Sequence, residues 1–392
     1  MTDFPKLISV DDHVIEPANV WQDRLPKQYL DVGPRVVQER GHMQFVGGVF
    51  SYEPADDGDL CDWWVYEDKK IPQTRLSAAV GFDRDDVKVV GITYEEMRRG
   101  CWDPKARLED MDVNHTDAQM CFPSFPRFCG QTFKEAQDME LADLCVKAYN
   151  DWMVEEWSGG TGGRLIPLCL IPLWDPVAAA DEVRRNAARG VRAVCFSEIP
   201  HHLGLPSIHT DHWDPFFAAC NETGTVIFMH IGSGSLFLTS SPDAPPAVTA
   251  TLDFVTTTMA LSDWLFSGVL ARHPSLRVCF PEGQIGWIPY VLDRADALWQ
   301  KKIWAKAGER LPEPPSAYMK QIFACFYDDP AGLAARDRIG VSQIAFETDY
   351  PHQDSTWPDT RAFVARFADQ LDDGELHQIL RGNAAKLLGL EA

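Results

Sequence analysis

The feature that most constrains this chain is a series of eight apolar runs of strand length: KLISV, DAQMCFPSF, RLIPLCLIPL, VRAVCFSE, GTVIFMH, LRVCFPE, QIFACFYD and SQIAFETD. Most are continuous rather than alternating, the pattern of strands buried on both faces of a parallel sheet. Between most of them lie segments with helical spacing, such as DPVAAADEVRRNAARG and HWDPFFAACNETG, each closing at a Gly that commonly stops a helix. Eight strands alternating with helices predict an α/β fold, a (β/α)8 TIM barrel. A doubly wound sheet is the rival, but no G-x-G-x-x-G follows the first run.

At 392 residues the chain exceeds most single cores, yet barrels of this type commonly run past about 250 residues as one domain. Residues 1–392 are therefore expected to form a single barrel domain. The long interval after the first strand, residues 17–116, has weak periodicity, several aromatics (Trp63, Trp64, Tyr66, Trp102) and acidic turns such as ADDGD. A structureless loop of that length is improbable, so it is expected to be an insertion that caps the barrel mouth or makes a subunit contact.

Charge narrows the partners. A formal net charge of −22 argues against nucleic acid and anionic membrane, both polyanions that bind through Lys and Arg. A small-molecule substrate is expected instead. The N-terminal MTDFPKLISV lacks a basic region followed by a long apolar one, and no apolar stretch has the roughly 18 residues of a spanning helix, which predicts a cytoplasmic protein. The ten cysteines have no regular spacing, and five of them (Cys121, Cys169, Cys195, Cys279, Cys325) lie within apolar runs, as reduced core residues do.

In a barrel the chemistry sits at the C-terminal ends of the strands, so the residues that terminate each run matter most. The first run ends in Asp11, Asp12 and His13, the fourth in Ser197 and Glu198, the fifth in His230, the sixth in Glu282, and the eighth in Asp349 with His352 beyond. On a strand, Asp11 and His13 share one face while Asp12 points to the other. Glu16 lies past the strand end and is assigned to the loop. Two imidazoles and two carboxylates, from Asp11, His13, His230 and Asp349, make a mixed N/O site for Zn, Mn or Fe. Arg127 in FPSFPRF is placed to bind a substrate carboxylate bidentately, and His201 in EIPHHLGLP is a second candidate for substrate binding. His352 is a candidate acid or base, or a group that orients a ligand. Asn383 is expected to cap the final helix. HIGSGS has the glycines of a phosphate loop but no accompanying Lys, so that role is set aside.

Taken together, VDDHVIEP, MHIGSGS, RVCFPEGQIGWIPYVLDRAD, FETDYPH and GNAAKLLGL resemble the amidohydrolase superfamily, in particular its amidohydrolase-2 branch, which includes aminocarboxymuconate-semialdehyde decarboxylase and γ-resorcylate decarboxylase. The resemblance implies one divalent metal at the barrel mouth, with the family's acid-x-His motif on Asp11 and His13, its fifth-strand histidine on His230 and its eighth-strand aspartate on Asp349. Many relatives end the sixth strand in a histidine, a candidate proton donor, and here that position is Glu282. A buried glutamate can take over acid or base work or become a further ligand. Dinuclear members carry a bridging carboxylate where Glu198 falls, so a second ion held by Glu198 and Glu282 stays open. The implied activity is hydrolysis or decarboxylation of a small carboxylated or carbonyl-bearing molecule. The alternatives are a dinuclear non-haem iron or iron-manganese oxygenase and a non-catalytic subunit paired with an active paralogue. Assembly as a homo-oligomer or with a related barrel subunit is expected.

Overall fold

The computed structural model describes residues 4–46, 49–301 and 310–390. Its strands, in chain order, are β1 (Leu7–Val14), β2 (Arg35–Val46), β3 (Val49–Pro54), β4 (Asp59–Tyr66), β5 (Lys69–Pro72), β6 (Thr116–Pro123), β7 (Leu165–Ile166), β8 (Leu168–Cys169), β9 (Ala193–Cys195), β10 (Val226–Phe228), β11 (Val278–Phe280), β12 (Ile322–Phe326) and β13 (Ile344–Phe346). Two sheets are parallel throughout, in the orders β1-β6-β7 and β13-β12-β11-β10-β9-β8. Each of the eight apolar runs contributes to them, the third broken at Pro167, whose missing N–H cannot serve a ladder. That single residue carries the chain from one parallel sheet to the other. At the opposite edges, just beyond the end of β13, Asp349 N–H donates to the Asp11 carbonyl at 3.0 Å and His13 N–H to the Tyr350 carbonyl at 2.5 Å.

Helices lie between these strands, and their starts are written in the sequence. Asp103 and Asp175 each precede a proline and accept hydrogen bonds from the next free N–H groups, which opens the helices Pro104–Val113 and Pro176–Ala187. The helix Asp214–Thr223 stops at Gly224, whose φ of 71° is the left-handed conformation that glycine adopts without strain. Every residue of β1 is buried, as are those of β9 to β13, which matches strands covered on both faces. All ten cysteines are free thiols in the interior. Asn383 opens the short helix Asn383–Leu388, but its amide does not cap it: the side chain donates to the carbonyls of Val341 (2.7 Å) and Ile344 (2.8 Å), tying the helix to the base of β13.

Strands β2 to β5 form a separate antiparallel sheet, order β3-β2-β4-β5, within the interval where the sequence pattern predicts no strands. Its anchor has a period of two. Trp64 and Tyr66 share one face of β4 and meet the main core: Trp64 lies 4.7 Å from Phe125 and 5.1 Å from Trp21, and Tyr66 lies 5.7 Å from Phe133. Trp63 faces the other way, against Tyr52. A second, smaller core of Ile15, Ala78, Val80, Ile92, Met97, Cys101 and Tyr350 fixes the segment that follows. There the N–H groups of Ala79 (2.8 Å) and Val80 (3.2 Å) both donate to the Pro351 carbonyl, bringing Leu76 and Ser77 beside the end of β13. Among the described residues, no helix is long and apolar enough to cross a membrane.

Trp21 joins these parts, since it is fully buried between Trp64 and Phe125 and its indole N–H donates to the Cys145 carbonyl at 3.0 Å. Trp21→Ala should cost about 3–5 kcal/mol, read from urea unfolding of the variant against the parent chain.

Candidate metal centre at the strand ends

The parallel register brings the polar strand ends to one level. Phe228 pairs with Cys195 on one side and Cys279 on the other, so the residues just beyond them, Ser197, His230 and Glu282, emerge along one edge. The junction of β1 and β13 adds Asp11, His13 and Asp349 to the same edge. His13 Nε2 lies 3.6 Å from Asp11 Oδ1, 3.3 Å from Asp349 Oδ1 and 3.3 Å from His230 Nε2. His230 Nε2 lies 3.5 Å from Asp11 Oδ2 and 3.1 Å from Glu282 Oε2. His352 stacks on the His13 ring at 3.6 Å and places Nδ1 3.0 Å from Asp349 Oδ1.

These atoms are almost all acceptors. His230 Nδ1–H donates to the Ile231 carbonyl at 2.6 Å, which leaves the Nε2 lone pair turned inward. Burial pushes His230 down to about 3, and burial together with the neighbouring His352 lowers His13, so both rings are neutral. Neither oxygen of Asp11 nor either oxygen of Asp349 receives a hydrogen bond, although both side chains are fully buried. Lone pairs converging without donors are costly unless a cation sits among them, and two imidazoles with two carboxylates suit a divalent ion of the Zn, Mn or Fe type. The residues fit such an ion. Asp11, His13 and His230, and likewise His13, Asp349 and His352, bring potential ligand atoms within 4.8 Å of one another.

The carboxylates are unequal. Burial raises Asp11, and Glu347, Glu282 and Asp349 add to the shift. Burial would raise Asp349 too, but His352 and His13 hold it below the usual carboxylate range. Glu282 is raised by burial and by Asp349. Glu282 and Asp349 also adopt left-handed backbone conformations, with φ of 58° and 49°, a strain that non-glycine residues tolerate chiefly at functional sites.

A layer beneath holds these side chains in place. Asp12 points away from the cluster, as the strand period predicts, and its Oδ1 accepts from the Thr348 hydroxyl and from Tyr350 N–H at 2.9 Å. Arg107, fully buried, donates to the carbonyls of His13 and Gly100, each at 2.6 Å, and its guanidinium stacks 4.0 Å from the Tyr350 ring. Glu16 serves the loop, accepting from the N–H groups of Ser124 and Phe125 at 2.9 Å. Glu198 stands in a similar place: its Oε1 accepts from Gly232 N–H at 2.9 Å and Gly234 N–H at 3.5 Å. The N–H groups that a phosphate would need in HIGSGS are thus turned to Glu198, which is not among the residues whose ligand atoms cluster. Arg127 pairs with Glu135 at 2.9 Å and donates to the Ser235 hydroxyl, and His201 is exposed on the turn Pro200–Leu203.

A cavity of about 210 Å³ opens onto Glu282, Asp349 and His352, with walls that include Phe128, Leu236 and Leu238; neither Arg127 nor His201 lines it. Sequence reasoning missed four residues here. Glu347, the first residue beyond β13, accepts Glu282 N–H at 3.0 Å, and its place as an acid directly ending the apolar run was a readable signal. Arg107, Asp253 and Asp354 had none, because their place depends on how distant segments fold back.

The fold and the cluster define an α/β protein with a candidate metal centre at one strand edge. The family model described as Amidohydrolase matches residues 40–390, and the chain belongs to that family. It is 23% identical over 327 residues to the 2-amino-3-carboxymuconate-6-semialdehyde decarboxylase of Dictyostelium discoideum, covering 77% of this chain and 80% of that one. An amidohydrolase from Mycobacterium avium subsp. paratuberculosis has the same fold, with a TM-score of 0.71 at 21% identity over 98% of this chain and 99% of its own. A 5-carboxyvanillate decarboxylase from Novosphingobium aromaticivorans, solved with manganese and 4-hydroxy-3-methoxy-5-nitrobenzoic acid, gives 0.64 at 16% identity over 98% and 96%.

The supporting layer makes a direct prediction. Asp12→Ala strands the Thr348 hydroxyl and the Tyr350 N–H in the interior and should cost about 2–4 kcal/mol, whereas Asp12→Asn keeps the acceptor and should cost about 1 kcal/mol or less. The two urea midpoints, compared with that of the parent, check it.

Proposed function

We propose that this chain is a divalent-metal-dependent carboxy-lyase that removes CO2 from a small carboxylated molecule. The two parallel sheets are read as one (β/α)8 barrel within a single domain, and residues 17–116 as an insertion at its mouth. The observation that carries the proposal is the convergence of buried potential ligand atoms from Asp11, His13, His230 and Asp349, with neither carboxylate receiving a hydrogen bond, beside a cavity lined by Glu282 and His352. Two of the relatives are named as decarboxylases, one of them with manganese, which supports both the reaction and a single Mn, Zn or Fe ion.

In this reading Asp11, His13, His230 and Asp349 hold the ion. A bound divalent ion would supply the positive charge that anchors and polarises substrate oxygens. Glu282, with Oε2 at the edge of the cavity, holds the proton. As the bond to the carboxyl carbon breaks, its electron pair stays on the substrate carbon, CO2 leaves, and the Glu282 proton completes the new C–H bond; water later restores that proton. His352, stacked on His13 and facing Asp349, fixes both side chains. Phe128, stacked at 4.1 Å on His230, keeps that ring's approach dry.

Two measurements test this. Metal quantification on protein loaded with Mn2+ should give about one ion per chain for the parent and less than about a tenth of that for His230→Ala, since removing one of few ligands in a preformed site abolishes tight binding. Equal metal content in the two overturns the site. Glu282→Gln should keep its metal yet lower CO2 release from a turned-over carboxylate by roughly 10²–10⁴-fold, the usual worth of a positioned acid. Turnover without CO2 release overturns the reaction.

A further inference from the structure

The peptide unit joining Ile231 to Gly232 stands between two buried side chains. Its carbonyl accepts from His230 Nδ1 at 2.6 Å, and its N–H donates to Glu198 Oε1 at 2.9 Å. A carbonyl can only accept, so Nδ1 carries the imidazole proton. The bond is trans, and the two groups therefore point in opposite directions from one rigid plane. A line of contacts thus runs from Glu198 through that plane to His230, whose Nε2 lies 3.5 Å from Asp11 Oδ2 and 3.1 Å from Glu282 Oε2. Glu198 and His230 are each 1% exposed, so bulk water competes for neither bond.

The sheet register puts Glu198 there. β9 and β10 pair in parallel with Cys195 beside Phe228, so the third residue beyond each, Glu198 and Ile231, comes level. The turn that follows is tied to the end of β9 at further points: Ser233 Oγ accepts Glu198 N–H at 2.8 Å, and the Ser233 carbonyl accepts from the Ser197 hydroxyl at 3.2 Å and the Gln131 amide at 3.1 Å. Gly232 has a φ of 78°, and a Cβ there would come within 3.2 Å of the Phe128 ring, which stacks on His230 at 4.1 Å. Stacking fixes the plane of the imidazole but accepts either edge of it. The Ile231 carbonyl distinguishes the edges, because it must receive an N–H. Glu198 Oε2 takes no hydrogen bond, yet Glu198 belongs to no described group whose ligand atoms come within 4.8 Å of one another. Its action on the centre runs through Oε1.

Resting on the metal centre proposed above, we infer that Glu198 is a positioning residue for it: by holding the Ile231–Gly232 peptide, Glu198 keeps His230 protonated on Nδ1 with Nε2 facing the ion. What counts is the reach of an acceptor oxygen to Gly232 N–H. Glu198→Gln keeps that reach and drops the charge, whereas Glu198→Asp keeps the charge and withdraws the oxygen by one methylene. Mn2+ titration calorimetry on the full chain should place Glu198→Gln within about threefold of the parent and Glu198→Asp about 10–100-fold weaker, the usual loss when a ligand histidine loses its orienting partner. Nitrogen NMR of the metal-free chain, with the His230 signals assigned by their absence from His230→Ala, reads the tautomer directly. It should show Nδ1–H alone in the parent and Glu198→Gln, and both tautomers in Glu198→Asp. Glu198→Ala gives the same two readouts should Glu198→Asp not fold. Parent-like affinity and tautomer in Glu198→Asp overturn the inference. So does the reverse order, with affinity kept by Glu198→Asp and lost by Glu198→Gln, or a fall from two bound ions to one, which would make Glu198 a ligand. A parent that binds no Mn2+ but shows the tautomer change sinks only the reading beneath.

Discussion

The structure is organised around a convergence of lone pairs. Four polar side chains, Asp11 and His13 of β1, His230 beyond β10 and Asp349 beyond β13, turn nitrogen or oxygen atoms toward one point, and neither carboxylate among them receives a hydrogen bond. Such an arrangement cannot be the cheapest packing of these residues, and it persists only because the surrounding backbone over-determines it. The positive φ at Glu282 and Asp349 is one sign of that. Another is the Ile231 carbonyl, which accepts a hydrogen bond from His230 Nδ1–H and so fixes which nitrogen faces inward.

What over-determines it is the seam between β1 and β13. These strands share no ladder pairing, yet backbone bonds cross in both directions at their ends, and Asp12 ties Thr348 and Tyr350 to β1. Arg107 adds a buried charge that grips the His13 carbonyl and stacks on Tyr350. The alternation of a strand therefore does double duty in DDH. Asp11 and His13 face the centre while the residue between them holds the opposite strand in register.

Much of this was legible in the sequence, and for identifiable reasons. Continuous apolar runs marked the parallel strands because burial on both faces leaves no room for polar alternation, and the period of two separated Asp11 from Asp12. Glu16 was rightly left to its loop. The antiparallel sheet was not legible, since β2 reads RVVQERGHMQFV, with charges on both faces and a single aromatic anchor strand, β4, to betray it. Arg127, His201 and Glu198 show another limit. All three lie outside the strands, where a partner can be set by chain returning from far away: Ser235 for Arg127, which also pairs with the nearby Glu135, and the two glycines of HIGSGS for Glu198.

The double hydrogen bond from Ala79 and Val80 to the Pro351 carbonyl has a wider consequence. Through it the segment between the antiparallel sheet and the first helix becomes part of the cavity wall, while the donorless cluster is built entirely from strand ends on the other side of that carbonyl. The cavity thus has walls from two sources, Leu76 and Ser77 on one side and Glu282, Asp349 and His352 at the strand ends on the other. Because Ala78 and Val80 also pack on Tyr350, whose carbonyl accepts from His13 N–H, the shape of the cavity and the placement of the strand-end cluster are tied to one short stretch of chain.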